Sequence, residues 1–128
     1  MKDQNLVIMI DDDTDDHEFF KIALSEVNPS LKCMVFENCK QALEHFSHKN
    51  VKAPRLVFID INLPAVSGPD CLLELQNFPL FDDPCIVILS GSIPEKWRKS
   101  LKAIGVNEFV EKTSSISLLV EKLQALLT

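Results

Sequence analysis

Two runs of apolar residues in this chain end at acidic residues. The first run, Leu6–Ile10, is followed by the acids at 11–13. The second run, at 56–59, is followed by Asp60. A short and wholly apolar run is typical of a strand buried on both faces of a parallel sheet. Because parallel strands place their carboxyl ends at one edge of the sheet, we expect these acids to gather there. Carboxylates at such density repel one another unless they share a proton or a cation, and a hard divalent ion such as Mg²⁺ meets that need.

The rest of the chain alternates between predicted strands and predicted helices. The predicted strands cover residues 6–10, 31–37, 56–60, 85–89 and 108–110. The second strand mixes polar with apolar residues, which is typical of an edge strand. Amphipathic helices fill the gaps, with Asn38 and Ser67 as predicted N-caps of the second and third and Gly105 ending the fourth. This alternation predicts an α/β domain, a parallel sheet with helices on both faces.

Length and charge limit the function. The chain has 128 residues and a formal net charge of −6. That length predicts one domain, covering residues 1–128 with no output domain. The negative charge argues against a nucleic-acid partner, because phosphate contacts need a basic surface. The N-terminus lacks a signal-peptide pattern and no apolar run has the length of a membrane span, so we expect a cytoplasmic protein that binds no membrane.

Cysteine and histidine patterns suggest no metal site of their own. The cysteines are Cys33, Cys39, Cys71 and Cys85. They form no C-x-x-C pair and have no histidine at a zinc-site spacing, so we expect free thiols in a reducing compartment. Cys33 and Cys85 lie among apolar residues and are interpreted as small buried side chains. His17, His45 and His48 fall on predicted helices, where we expect exposed positions.

Other polar side chains follow the predicted strands. Ser90 stands at the exit of the fourth strand, and Lys112 at the exit of the fifth. Pro64 and Gly68 lie in the loop after Asp60. Acids, an ammonium and a hydroxyl that converge on one carboxylate are what a phosphorylated aspartate requires. The carboxylate is the nucleophile, the cations neutralise the phosphoryl oxygens, and the hydroxyl donates to one of them.

With these residues in this order, the chain resembles a response-regulator receiver domain, the phosphoacceptor half of two-component signalling. The resemblance extends from residue 6 to residue 127, and the loop from Asp60 to Gly68 is similar to the family signature D-x-x-x-P-x-x-x-G. It implies a flavodoxin-like, doubly wound (βα)5 fold with a five-stranded parallel sheet in the order 2-1-3-4-5. It also implies a histidine kinase or a histidine phosphotransfer protein as phosphoryl donor, and Mg²⁺ (or Mn²⁺) as cofactor.

The resemblance further implies a role for each site residue. The implied residues are the phosphoacceptor Asp60; the metal ligands Asp11, Asp12, Asp60 and the backbone carbonyl of Asn62; the switch residues Ser90 and Phe109; and the phosphoryl-binding Lys112. The family usually has proline after this lysine, often joined by a cis peptide, whereas Thr113 follows here. A non-proline cis bond costs about 2.5–4 kcal/mol. The loop therefore either keeps that strain or takes a trans path.

Three functions follow from this pattern. The first is a signalling module, in which phosphorylation moves Ser90 and Phe109 and alters a docking surface around the fourth helix for an unknown downstream protein. The second is a phosphorylation-independent protein-binding module on the same fold. The third is an enzyme that acts on an external substrate, although the expected chemistry is self-catalysed phosphorylation and dephosphorylation only. We expect a monomer or a weak dimer.

Neighbouring residues exclude other uses of the acids. A calcium loop would need glycine at Asp16 and a bidentate glutamate at Ile22. A phosphatase with an aspartate nucleophile on the first strand would have threonine or valine at Asp15. A flavodoxin-like redox protein would bind FMN phosphate after the first strand, where this chain is acidic and would repel it.

The fourth helix carries a predicted docking surface. Its apolar stripe, predicted to be buried, is Ile93, Trp97, Leu101 and Ile104. The cations predicted to be exposed, here called the basic patch, are Lys96, Arg98, Lys99 and Lys102. The patch is either a solvated helix face or a docking surface for an acidic partner.

Overall fold

Five parallel strands form one sheet in a computed structural model that describes residues 4–48, 50–81 and 83–127. The strands are β1 (Leu6–Ile10), β2 (Lys32–Phe36), β3 (Leu56–Asp60), β4 (Cys85–Ser90) and β5 (Glu108–Glu111). Their order is β2-β1-β3-β4-β5, which confirms the predicted α/β fold and sheet order. The position of β2 at one edge is also confirmed.

Strand burial follows directly from the sequence pattern. Every residue of β1 and of β3 is buried, because helices cover both faces of the central strands. Ile10 pairs with Ile59 across these two strands. Since the next residue of each strand continues in the same direction, the register brings Asp11 and Asp60 side by side at the carboxyl edge.

Five helices cover the two faces of the sheet. They are α1 (Thr14–Val27), α2 (Cys39–Phe46), α3 (Gly68–Leu75), α4 (Glu95–Ala103) and α5 (Ile116–Leu127), with a short 3₁₀ turn at Pro79–Phe81. Helices α1 and α5 pack on one face, and α2, α3 and α4 on the other. The side chains of Asn38 and Ser67 accept hydrogen bonds from backbone N–H groups of the next turn, which confirms both predicted N-caps. None of the helices in the described part of the chain is long and apolar enough to cross a membrane.

Helix α4 departs from its predicted stripe. Ile93 and Leu101 are buried, but the side chain of Trp97 is 46% exposed, so its predicted burial is wrong. Helix α4 begins at Glu95, and Leu101 is its one buried residue, so the first turn, which holds Trp97, has no buried side chain. Arg98 was predicted to be exposed but is half-buried, because its guanidinium carbon lies 5.1 Å from the ring centroid of Phe109.

Two of the cysteines are joined, contrary to the expectation of free thiols. A disulfide links Cys39 of α2 to Cys71 of α3, and both residues are buried. The sequence separation of 32 gave no sign of the pairing, which depends on α2 and α3 packing side by side. Cys33 and Cys85 are free and half-buried rather than fully buried, and burial raises the pKa of the Cys33 thiol to about 11.

The loop after β5 takes the trans path. The peptide bonds between described residues include no cis bond, so Lys112 and Thr113 are joined in trans. The backbone N–H of Lys112 donates to the carbonyl of Ser90 at 2.8 Å, which fixes this loop to the end of β4.

Candidate functional site

The predicted metal-binding acids lie together at the carboxyl edge of the sheet. Asp11 follows β1 and is fully buried, Asp60 ends β3 and is 5% exposed, and Asp12 is exposed. Each offers a carboxylate oxygen, and these oxygens all lie within 4.8 Å of one another. The ends of β1 and β3 thus bring their acids together at one edge of the sheet, as the apolar runs predicted.

Both oxygens of the Asp60 carboxylate have a donor. Oδ1 accepts a hydrogen bond from the backbone N–H of Asn62 at 3.0 Å, and Oδ2 accepts one from Lys112 Nζ at 2.9 Å. These bonds hold the carboxylate at the end of β3 in one orientation. The predicted role of the Asn62 carbonyl as a metal ligand stays a prediction.

The ammonium of Lys112 is the cation of the site. Nζ donates to Asp16 Oδ2 at 2.8 Å and to Asp60 Oδ2 at 2.9 Å, and it lies 3.1 Å from Asp11 Oδ2. Burial alone lowers the pKa of Lys112, but the bonds to these carboxylates outweigh it and raise the pKa above its usual range. The side chain therefore stays charged over the working pH range.

Asp11 holds a carboxylate oxygen that is free for a further ligand. Its Oδ1 accepts a hydrogen bond from the backbone N–H of Asp13 at 2.9 Å. Its buried Oδ2 accepts no hydrogen bond, although it forms the ion pair with Lys112. Burial raises the pKa of Asp11 to about 6, although the hydrogen bond from Asp13 and the positive charge of Lys112 act to lower it. A crowded group of carboxylates with an unbonded buried oxygen fits a hard divalent cation such as Mg²⁺.

The predicted switch residues lie on neighbouring strands, Ser90 at the end of β4 and Phe109 within β5. Ser90 is buried, and its hydroxyl donates to the backbone carbonyl of Ser92 at 2.9 Å. Phe109 is half-buried beneath Arg98. Both side chains therefore have local partners from which they would have to be released in order to act as switch residues.

The start of α3 lies against the end of β3. The backbone N–H of Gly68 donates to the carbonyl of Ile61 at 3.1 Å. A Cβ atom at this position would lie 2.3 Å from the carbonyl oxygen of Asp60, so a larger residue cannot occupy it without moving the backbone. The glycine of the loop signature is explained by this close approach.

Comparison with known proteins identifies the family. The sequence profile described as response regulator receiver domain matches residues 7–124. The chain belongs to this family. A comparison of this receiver with curated protein sequences gives no match.

Solved structures share the receiver fold at low sequence identity. The phosphorylated cyanobacterial phytochrome response regulator RcpA superposes with a TM-score of 0.81 at 21% identity, over 95% of this chain and 90% of its own. The chemotaxis protein CheY4 of Vibrio cholerae gives 0.78 at 16% identity, over 94% and 96%. The Mn²⁺-bound response regulator Rcp1 gives 0.79 at 19% identity, over 95% and 91%.

Two residues near the acids of this receiver were missed by the sequence analysis. Asp16 accepts a hydrogen bond from Lys112, but in the sequence it was used only as an argument against a calcium loop. His17 was expected to be exposed, but it is 7% exposed, and its Nε2–H donates to the backbone carbonyl of Asp11. The tautomer follows because a carbonyl can only accept. One signal was present: His17, Phe20 and Leu24 share the i, i+3, i+7 spacing of a buried helix face.

Proposed function

We propose that this receiver accepts a phosphoryl group on Asp60 from a phosphohistidine of a histidine kinase or of a histidine phosphotransfer protein. The observation that carries the proposal is the Asp60 carboxylate, buried at a strand end and hydrogen-bonded to Lys112 at 2.9 Å inside the group of metal-ligand acids. Membership of the receiver family supports the same role.

The chemistry is a transfer between a nitrogen and an oxygen. A carboxylate oxygen of Asp60 attacks phosphorus, the P–N bond of the donor breaks, and the leaving imidazole nitrogen takes up a proton from solvent. The ammonium of Lys112 neutralises charge on the phosphoryl oxygens during the transfer. Water later attacks the acyl phosphate, which returns the carboxylate and inorganic phosphate. In this proposal the receiver catalyses its own phosphorylation and its own dephosphorylation, and no other reaction.

A divalent ion completes the charge balance. Asp11, Asp12, Asp60 and the backbone carbonyl of Asn62 would hold Mg²⁺ or Mn²⁺, which supplies positive charge opposite the phosphoryl oxygens. The cluster of carboxylate oxygens and the unbonded Oδ2 of Asp11 support this assignment. The Mn²⁺-bound form of Rcp1, a structure with the same fold, also supports it.

Signalling would follow from release of the switch residues. The Ser90 hydroxyl would leave the carbonyl of Ser92 and donate to a phosphoryl oxygen. Phe109 would then move into the space vacated by the hydroxyl and lose its contact with Arg98. That contact joins the switch to the basic patch on α4. The patch would therefore present a different surface to an unknown downstream protein after phosphorylation.

We further propose a receiver that works as a monomer or a weak dimer in the cytoplasm, with neither nucleic acid nor membrane as a partner. The net charge of −6 supports the exclusion of nucleic acid. Cytoplasmic thiol buffers keep most cysteines reduced, so in that compartment we expect Cys39 and Cys71 as a dithiol.

Intact-mass measurement tests the acceptor assignment. Wild-type protein incubated with acetyl phosphate and Mg²⁺ should gain one phosphoryl group, and Asp60→Asn should gain none, because the amide is a poor nucleophile of the same shape. Asp70→Asn, which removes an exposed acid from the first turn of α3, is the matched control and should behave as wild type. A stable phosphoryl mass on Asp60→Asn would refute the assignment. A wild-type protein that gains no mass would favour the phosphorylation-independent binding module.

A further inference from the structure

Carboxylates from different elements surround the Lys112 ammonium. Asp11 follows β1, Asp60 ends β3, and Asp16 lies in the first turn of α1. The shortest of the three contacts is the one to Asp16, at 2.8 Å. Unlike the other two acids, Asp16 does not belong to the group of carboxylates that could hold a metal ion.

Of the three carboxylates around Lys112, Asp16 is the one that has no other role in the proposed phosphotransfer. Phosphorylation converts the carboxylate of Asp60 into an acyl phosphate, and its negative charge moves to the phosphoryl oxygens. Asp11 is a proposed metal ligand, and its Oδ2 is the oxygen without a hydrogen bond. The bond from Lys112 to Asp16 involves neither the metal ligands nor the acceptor, so it can persist through every stage of the transfer.

The backbone around the lysine makes such an anchor useful. Thr113 stands where the family usually has proline, so the loop lacks the fixed φ of a proline ring. The N–H of Lys112 is bonded to Ser90, but its side chain has four rotatable bonds that the backbone does not restrain. A carboxylate on α1, a helix packed against α5, supplies a rigid point for the end of that side chain.

We infer that Asp16 is a positioning residue for phosphotransfer, which holds the ammonium of Lys112 where it meets the phosphoryl oxygens. The inference rests on the proposed function. Asp16 touches neither the phosphoryl group nor the metal ion and acts only through the lysine. Both partners are half-buried, and the contact is a charge-assisted hydrogen bond, which is worth more than a mobile surface ion pair.

Asp16→Asn tests the inference, with Asp15→Asn as the matched control. Asp15 lies next to Asp16 in the same helical turn and is exposed, so its variant makes the same change of charge without the contact to Lys112. The measurements are the phosphorylation rate by acetyl phosphate at saturating Mg²⁺, the affinity for beryllofluoride with Mg²⁺, and the affinity for Mg²⁺ alone from thermal melts.

Asp16→Asn should lower the maximal phosphorylation rate and the beryllofluoride affinity by about tenfold relative to Asp15→Asn, as expected for loss of one charge-assisted hydrogen bond. Its affinity for Mg²⁺ alone should stay within about twofold of the control, because Asp16 is outside the metal group. Asp16→Glu, which keeps a carboxylate, should recover part of the rate and shows that a loss is not caused by misfolding of α1.

Several results would overturn the inference. Equal rates and beryllofluoride affinities for Asp16→Asn and Asp15→Asn would leave the contact without a role. A faster Asp16→Asn would mean that Asp16 withholds the lysine from the phosphoryl group. A parallel loss of Mg²⁺ affinity would place the effect on the metal ion. Absence of phosphorylation in the wild type would instead overturn the proposed function, and this inference with it.

Discussion

Reduction of the Cys39–Cys71 disulfide should lower the thermal stability of this receiver substantially. The bond closes a loop with a sequence separation of 32. In the chain-entropy treatment, a loop of this length stabilises the folded state by about 3.7 kcal/mol at 25 °C, because it restricts the unfolded chain. An unfolding entropy of about 2.1 cal/mol/K per residue then gives a decrease in Tm of about 10–14 °C for a domain of this size.

The assay compares melts of the oxidised and reduced forms, with the thiols counted in denaturant. The oxidised protein should show two reactive thiols, Cys33 and Cys85, and the reduced protein four. Because both bridged residues are buried, reduction should be carried out in denaturant before refolding. A variant with Cys33→Ala and Cys85→Ala should keep the full difference in Tm, and one with Cys39→Ala and Cys71→Ala should lose it.

Two outcomes would refute this reasoning. Four reactive thiols in protein purified without reductant and air-oxidised would show that the pair does not form. Complete reduction, confirmed by the thiol count, with an unchanged Tm would show that the closed loop does not restrict the unfolded chain as the entropy argument requires.

Further variants and conditions test the metal site, the docking surface and the loop signature. Asp12→Ala should weaken Mg²⁺ binding and raise the metal-free Tm by removing one crowded charge, and unchanged melts with and without Mg²⁺ would contradict a metal role. Burial raises the pKa of Asp11 from 3.8 to about 6, so its contribution to metal-free stability is present below pH 3.8 and is lost as the pH rises through about 6. Stabilisation by Mg²⁺ should grow over the same range, as melts at several pH values would show. Lys99→Glu with Lys102→Glu should slow association with the cognate partner, most at low salt, without changing phosphorylation by acetyl phosphate, and association rates at two salt concentrations test this. Gly68→Ala should cost roughly 1–3 kcal/mol in urea unfolding, since its Cβ would collide with the Asp60 carbonyl.

The sequence predicted the features that depend on local pattern and on topology. Wholly apolar runs identified β1 and β3, and the rule that parallel strands share a carboxyl edge brought Asp11 to Asp60. The caps at Asn38 and Ser67 could be predicted because each bonds within its own first turn.

The features that were missed depend on contacts between distant segments. Asp16 meets Lys112 across 96 residues, and Cys39 meets Cys71 across 32. No periodicity within a single element records such a contact. The exposure of Trp97 was missed as well, because the apolar spacing of α4 includes Trp97 while only Leu101 of the helix is buried.

The acceptor lies inside the loop that the disulfide closes. Asp60 falls between Cys39 and Cys71 in the chain, and Cys71 lies one turn along the helix that starts against the Asp60 carbonyl. The phosphoacceptor and the two bridged cysteines therefore belong to the same covalently closed loop. If reduction of the disulfide changes the equilibrium constant for phosphorylation of Asp60, phosphorylation must change the equilibrium constant for reduction. By thermodynamic reciprocity, the two factors are equal. The coupling free energy between them can be measured from either side, by titrating a phosphoryl donor at fixed thiol potential or a thiol buffer at fixed phosphorylation.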